Sequence, residues 1–320
     1  MSAVLRRKLP LIATGGILLV LFAAASCKYD GFFSAGVVTD LFRNSASLGI
    51  IAVGMTLVIL AGGIDLSVGA VVGFTSIFAA TLVQRGVHPA LVAFYSLGLG
   101  ALFGAFMGTL IHVFKQPAFL VTLAGMYLAR GSGFWISTES TPIVHPVYDT
   151  LSQFEVTFGE HVRLTLVSLL LIGVFVVGYV LAQFTRFGRN LMAVGGSEQS
   201  AVLMGLPVGA TKITAYTLNS TLAAFAGLVA TIDTTSGLAS TGMGWELDAI
   251  TIVVVGGTLL SGGRGHIVGT LLGMLVLATI QSAILFDGRL SSAWNRITVG
   301  LLLFVFILLQ RAISRTAVKR

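Results

Sequence analysis

The segment that decides the fold class is residues 164–180, LTLVSLLLIGVFVVGYV. It contains no charged residue, and its apolar side chains would cover every side of a helix. A membrane-spanning β-strand instead alternates apolar and polar residues over about 10 positions. A helix needs about 20 apolar residues to cross the hydrocarbon layer, and this run continues to residue 184. We therefore predict an all-α membrane protein.

The composition of the whole chain agrees with this class. Of the 320 residues, 56% are hydrophobic and 10% are charged, whereas soluble domains carry about 25% charged residues. The mean hydropathy is +0.97. These values exclude a soluble enzyme, a nucleic-acid-binding domain and a disordered scaffold.

Ten apolar segments are candidates for membrane-spanning helices. They are residues 9–27, 45–62, 66–84, 89–113, 117–137, 164–184, 213–233, 247–260, 267–286 and 295–311. The eighth is short and rich in glycine, so we expect it to be re-entrant or tilted. Residues 1–320 are expected to form one transmembrane domain, with its longest outer loop at about 138–163 and its longest inner loop at about 185–212.

Basic residues predict the orientation, because cytoplasmic loops carry an excess of lysine and arginine. With ten spans and a cytoplasmic N-terminus, most of the 19 basic residues face the cytoplasm. They are Arg6, Arg7, Lys8, Lys115, Arg186, Arg189, Lys212, Arg264, Arg311, Arg315, Lys319 and Arg320. The only acidic residues on that side are Asp65 and Glu198. We expect both termini inside, in a multi-pass protein of the bacterial inner membrane, and no binding of nucleic acid.

Signatures of catalytic chemistry are missing from the sequence. No lysine follows a glycine, as the P-loop of a nucleotide hydrolase requires. The histidines lack metal-ligand spacing, and no Gly-x-Ser-x-Gly elbow occurs. We therefore predict that the chain is not an enzyme and holds no cofactor and no metal.

Charged residues inside a membrane cost about 2.5–3.5 kcal/mol each on insertion scales. We expect Asp65, Asp233, Glu246 and Asp248 at helix ends that water reaches. Asp65 could instead cap the amides that begin the next helix. Arg130 is expected to extend to the interface or to pair with an outer acid. Since no carboxylate is central, the sequence argues against an ion-coupled symporter.

The inner loop contains a predicted helix over residues 197–205. Ser197 suits the N-cap, Glu198 suits the first turn, and Gly205 suits the end of the helix. Its apolar residues are Ala201, Val202, Leu203 and Met204. A helix of only two turns is not stable by itself in water, so we expect these side chains to bind a groove in another protein. The alternative is a helix that lies on the lipid or packs beneath the bundle.

Four blocks of the sequence carry a family resemblance. They are IAVGMT (51–56) with GGIDLSVG (62–69), PAFLVTLAGM (117–126), residues 185–196 with Gly205, and residues 246–263. In this order they resemble the ribose/galactose-type permeases of ABC importers. The motif residues are Gly62, Gly63, Asp65, Ser67, Gly69, Gly256 and Gly257. Residues 62–69 and 256–263 also match at five positions, a weak indication of duplication. Within the family, outer-loop residues 139–152 are similar to permeases for galactofuranose.

The resemblance implies a permease subunit of an ATP-driven carbohydrate importer, with galactofuranose as the expected sugar and ribose as the alternative. It implies a second permease, expected to be non-identical, two ATP-binding cassette subunits, a periplasmic sugar-binding protein and surrounding membrane lipid. Residues 197–205 would be the cytoplasmic coupling helix. Its ATPase contacts would be Ser197, Glu198, Ala201, Leu203, Met204 and Gly205.

The candidate residues of the solute path are polar side chains within the spans. They are Thr122, Asn219, Ser220 and Gln281. Hydroxyls and amides suit a weak sugar site, but hydrogen bonds between helices are the favoured alternative for each. Two other classes of function stay open, a stand-alone ion-coupled sugar symporter and a pore or structural membrane subunit.

Overall fold

The computed structural model describes residues 3–159, 162–288 and 293–318. The helices are α1 (Ala3–Lys28), α2 (Ala35–Asn44), α3 (Ala46–Leu60), α4 (Val68–Gln84), α5 (Pro89–His112), α6 (Ala118–Ile136), α7 (Pro146–Gln153), α8 (Leu166–Phe184), α9 (Arg186–Gly196), α10 (Glu198–Leu203), α11 (Val208–Thr234), α12 (Trp245–Val255), α13 (Ile267–Asp287) and α14 (Ala293–Val318). The strands are β1 (Thr141–Pro142), β2 (Glu155–Phe158), β3 (Val162–Thr165) and β4 (Ser236–Gly237). β1 pairs with β4 and β2 with β3, both antiparallel.

Side chains at the helix starts explain several of these boundaries. Ser34, Thr165, Thr185 and Ser197 each accept a hydrogen bond from a backbone amide of the first turn that follows. The first amides of a helix have no partner within the helix, so such side chains fix where it begins. α5 begins in a related way, with His88 at the N-cap and Pro89 directly after it.

Among the described residues, six helices are long and apolar enough to cross a membrane, or up to seven if the α2–α3 pair, bent by 57°, is one span. The six are Leu11–Lys28, Pro89–His112, Ala118–Ile136, Leu166–Phe184, Val208–Thr234 and Ile267–Asp287. Each of the ten predicted segments overlaps a helix. The membrane-protein class is therefore confirmed, whereas the count of ten and the cytoplasmic termini stay predictions. Lys319 and Arg320, used for the orientation, lie outside the described residues.

The centre of the bundle is α3, in which all 15 residues are buried. It packs against α8, α11, α12 and α13. Peripheral helices instead expose large apolar side chains, among them Phe94 and Leu102 of α5 and Tyr127 and Trp135 of α6. Exposed apolar surface of this extent suits contact with lipid tails.

The bundle has two distinct ends. At one, called here the hairpin end, the β2–β3 hairpin and α7 gather, Lys28 pairs with Asp287, and Arg43 pairs with Asp233. At the other, called here the α10 end, α9 and α10 lie beside the turns that follow α3 and α12. Two predictions need correction. The predicted all-α fold omitted the short strand pairs, and the inner loop holds two helices where one was predicted.

Candidate functional site

The predicted helix of the inner loop is present as α10. Ser197 accepts a hydrogen bond from the amide of Ser200 at 3.2 Å, and Gly205 has a φ of +72° just beyond the helix end. The side chains of Leu203, Met204 and Val202 are 87%, 65% and 58% exposed. An exposed apolar cluster on so short a helix suits docking to another protein.

Ala201 has a different place from the one predicted. It is completely buried and packs with Val194, Val208 and Leu206. It therefore anchors α10 to the bundle, and the exposed apolar surface comes from the three residues that follow it. Glu198 is also held, by an ion pair to Lys212 at 2.6 Å.

Behind α10, three segments meet without intervening side chains. We call Gly62, Gly195, Gly262 and Gly263 the glycine junction. A methyl group on Gly195 would strike the carbonyl of Leu60, and one on Gly262 would lie 2.8 Å from the Cα of Gly62. The amide of Gly263 also donates to the carbonyl of Leu60 at 3.0 Å. The junction thus joins the end of α9 to both glycine-rich turns.

The two turns of the junction share one backbone geometry. After α3, the amide of Gly63 donates to the carbonyl of Val58 and Gly62 has a φ of +81°. After α12, the amide of Thr258 donates to the carbonyl of Val253 and Gly257 has a φ of +87°. Both are Schellman helix ends with glycine in the left-handed position. The correspondence is shifted by one residue from the sequence match, because Gly62 is equivalent to Gly257 and not to Gly256.

Gly256 instead sits where α12 meets α13, at a close backbone approach. A methyl group on Gly256 would overlap the backbone of Gly269. On α4, Gly69 lies against the carbonyl of Gly242 in the same way. Small residues at such positions let membrane helices pack at short distance.

Asp65 is the charged residue inside the first turn, and it is completely buried. Its Oδ1 accepts from the amide of Ser67 at 2.8 Å and from the hydroxyl of Ser67 at 2.6 Å. Its Oδ2 accepts from Nδ2 of Asn219 on α11 at 2.9 Å. The prediction of an exposed helix end is therefore wrong for Asp65, and the alternative, a capped turn, is confirmed. Buried carboxylates need such donors because desolvation otherwise destabilises the charge.

Asn219 approaches Asp65 where α3 has Gly54 and therefore no side chain. A methyl group on Gly54 would overlap Oδ1 of Asn219 and lie 3.1 Å from its Cα. Around the same turn, the carbonyl of Ile64 lies 3.5 Å from the hydroxyl of Tyr216 and 3.5 Å from that of Thr122. Tyr216 carries no sequence signal of this role, since one tyrosine within an apolar span gives no pattern.

The four predicted path residues do not share one site. Thr122 and Asn219 lie at the turn that holds Asp65, whereas Ser220 faces α5 beside Gly100 and Gly104. All three are completely buried, and Gln281 on α13 is half-buried. None of the four lines the apolar groove of about 320 Å³ between α5 and α6. Their role in a solute path stays a prediction.

Arg130 stabilises the segment that precedes α12. Its Nη1 donates to the carbonyls of Ala239 and Thr241, the latter at 2.8 Å. Within the part of the chain that the structure describes, no group of three or more His, Cys, Asp or Glu residues could hold a metal ion.

Comparison with known proteins identifies the family of this chain. The profile of the family described as "Branched-chain amino acid transport system / permease component" matches residues 37–308. The chain belongs to this permease family. The permease is 48% identical to the inner membrane ABC transporter permease protein YjfF of Escherichia coli K12, over 97% of this chain and 94% of that protein.

Two further relatives extend the comparison. The permease is 38% identical to the fructose import permease protein FruG of Bifidobacterium longum, over 96% of this chain and 92% of that protein. It is 36% identical to the ribose import permease protein RbsC of Bacillus subtilis, over 92% of this chain and 90% of that protein. No solved structure gives a significant match. The resemblance is confirmed: the permease is a multi-pass inner membrane transport protein and not an enzyme.

Proposed function

We propose that the permease is the membrane subunit of an ATP-driven carbohydrate importer. In this proposal a second, non-identical permease completes the solute path, two separate ATPase subunits bind α10, and a periplasmic binding protein delivers the sugar at the hairpin end. The observation that carries the proposal is the exposed apolar cluster of α10 on a chain of this family. Relatives named as ABC transporter and sugar import permeases support it.

The principal rival is a stand-alone, ion-coupled sugar symporter. A proton relay needs a carboxylate that can exchange its proton with a water-filled path. Asp65 is buried, and both of its oxygens are engaged by Ser67 and Asn219. This favours a structural role for Asp65 and an external source of energy for transport.

Vesicle uptake separates the two mechanisms. The permease is reconstituted with its partner permease and ATPase subunits, or alone, and sugar uptake is measured with internal ATP or with an imposed proton or sodium gradient. We expect uptake only by the full assembly with ATP. Uptake by the isolated permease driven by an ion gradient would refute the importer.

The docking role of α10 has its own test. Leu203→Asp places a charge on the exposed apolar cluster, so we expect the ATPase subunits to dissociate during co-purification, with affinity reduced at least about tenfold. Val144→Asp is the matched control, because Val144 is 88% exposed in the loop beside the hairpin end. Retention of the ATPase subunits by Leu203→Asp, or their equal loss in the control, would contradict the role.

For the transported sugar we propose galactofuranose, with ribose as the alternative. The support is the similarity of outer-loop residues 139–152 to permeases of that type. Of the four candidate path residues we propose Gln281 as a sugar contact, since it is the only one that is partly exposed. Competition of unlabelled sugars against labelled galactofuranose in the vesicle assay tests the choice, and stronger competition by ribose would reverse it.

A further inference from the structure

The turn that contains Asp65 makes its shortest hydrogen bond to α11 through the side chain of Asn219, since the hydroxyl of Tyr216, also on α11, lies 3.5 Å from the carbonyl of Ile64. Two of the three donors to the carboxylate come from Ser67, two residues away, and the third is Nδ2 of Asn219, which lies on α11. Burial in a low-dielectric interior strengthens a hydrogen bond. At 2.9 Å, the Asp65–Asn219 bond is thus the closer of the two polar connections between this turn and α11.

The same turn is in direct backbone contact with the segment that holds α10. Gly195, at the end of α9, packs against the carbonyl of Leu60 and lies beside Gly62. Ser197, the N-cap of α10, follows two residues after Gly195. Because the contact is between backbones, it has no flexible side chain that could absorb a displacement of α10.

α11 extends from this end of the bundle to the other. It contains 27 residues, which corresponds to about 40 Å. Near its far end, Asp233 pairs with Arg43, and Thr231 shares a hydrogen bond with Tyr148 of α7. α11 also has a direct ion pair to α10, between Lys212 and Glu198, whose side chains are 18% and 50% exposed. A pair with a half-exposed partner contributes little.

We propose that the Asp65–Asn219 bond transmits the displacement of α10 to α11, so that Asp65 and Asn219 are positioning residues for transport. This inference rests on the proposed function. Movement at α10 shifts the glycine junction, the junction shifts the turn after α3, and the bond makes α11 follow. Without the bond, ATP hydrolysis would continue without opening the path at the hairpin end.

The experiment uses exchange of the two side chains in the complete importer. Asn219→Leu replaces the amide with an apolar group of similar size, which removes the bond. Asp65→Asn alone keeps a bond, since the amide of Asn219 can rotate and accept. The double variant Asp65→Asn, Asn219→Asp restores an amide–carboxylate pair in reversed order. Sugar uptake and ATP hydrolysis are both measured in vesicles.

We expect Asn219→Leu to lower uptake about tenfold while ATP hydrolysis and ATPase binding persist, and the double variant to stay within about threefold of wild type. The matched control is Thr56→Val with Thr270→Val, which removes a buried bond of 2.8 Å between α3 and α13 away from the turn. Its uptake should stay within about threefold of wild type.

Three outcomes would overturn the inference: unchanged uptake in Asn219→Leu, a tenfold loss of uptake in the double variant, or an equal loss of coupling in the control. If Asn219→Leu does not insert, Asn219→Ala replaces it, and the readout is ATP hydrolysed per sugar transported, which must rise. Absence of ATP-driven uptake by the wild-type assembly would instead refute the proposed function itself.

Discussion

The turn after α3 and the turn after α12 have the same backbone geometry but obtain their hydrogen bonds differently. In the second turn, the amide of Leu259 donates to the carbonyl of Arg264 and the amide of Gly262 to that of Leu259. In the first turn, Asp65 supplies the acceptors, and one donor comes from α11. The second turn is therefore closed by its own backbone, whereas the first depends on a distant helix.

This difference gives the two turns different sensitivities to substitution. A turn closed by backbone bonds retains them when a side chain is shortened. A turn closed around a buried carboxylate leaves donors without acceptors when that carboxylate is removed, and each such donor costs about 1–3 kcal/mol. The contrast should therefore be visible in the free energy of unfolding of the purified permease in detergent.

The largest effect is expected for Asp65→Ala. It leaves the amide and hydroxyl of Ser67 and the amide of Asn219 without their acceptor, so stability should fall by about 3–5 kcal/mol. Leu260→Ala at the equivalent position of the second turn should cost only about 1–2 kcal/mol, because Leu260 is half-buried. Equal losses in thermal unfolding would remove the distinction between the turns.

Gly195→Ala should have the next largest effect, since Gly195 touches both turns. The added methyl group would strike the backbone of Leu60, and we expect a loss of about 2–3 kcal/mol. Gly196→Ala is the matched control, because no atom lies within 4 Å of a methyl group there; it should change stability by less than about 0.5 kcal/mol. If Gly196→Ala also lowers the free energy of unfolding, the loss in Gly195→Ala comes from the substitution within helix α9 and not from the contact at the glycine junction.

Gly63→Ala should cost about 1–2 kcal/mol. Its methyl group would overlap the hydroxyl of Tyr216, whereas the equivalent residue of the second turn is Thr258. Tyr216→Phe removes that hydroxyl, so the double variant should recover part of the loss. Simple additivity of the two substitutions in a double-mutant cycle would argue against this contact.

The smallest effect is expected for Lys212→Met, outside both turns. It removes the ion pair to Glu198 and keeps the packing of the Lys212 stem; the side chains of Lys212 and Glu198 are 18% and 50% exposed. A pair with a half-exposed partner contributes little, so stability should change by less than about 1 kcal/mol. A loss comparable to that of Asp65→Ala would mean that α10 itself, and not the first turn, holds this end together.

Within the described residues, the sequence is sufficient for the ten helices that overlap the predicted spans and for α10, and insufficient for α2, α7, α9 and the buried turn. An uninterrupted apolar run is compatible with few structures other than a membrane helix. The start and end of α10 follow from Ser197 and Gly205. The burial of Asp65 depends on Asn219, a partner 154 residues away. No local pattern reports such a pairing. The inward side of α10 was missed for the same reason, since Ala201 is buried by residues of neighbouring segments.

The shortness of α12 has a consequence for biosynthesis. Its 11 residues extend about 16 Å, roughly half of the hydrocarbon thickness. Because α12 ends at the α10 end of the bundle, its start lies inside the bundle, where backbone must be enclosed by protein. Arg130 of α6 donates to the carbonyls of Ala239 and Thr241 there, and Gly69 of α4 lies against the carbonyl of Gly242. Since α4 and α6 precede α12 in the chain, the residues that enclose its start are already synthesised when α12 emerges.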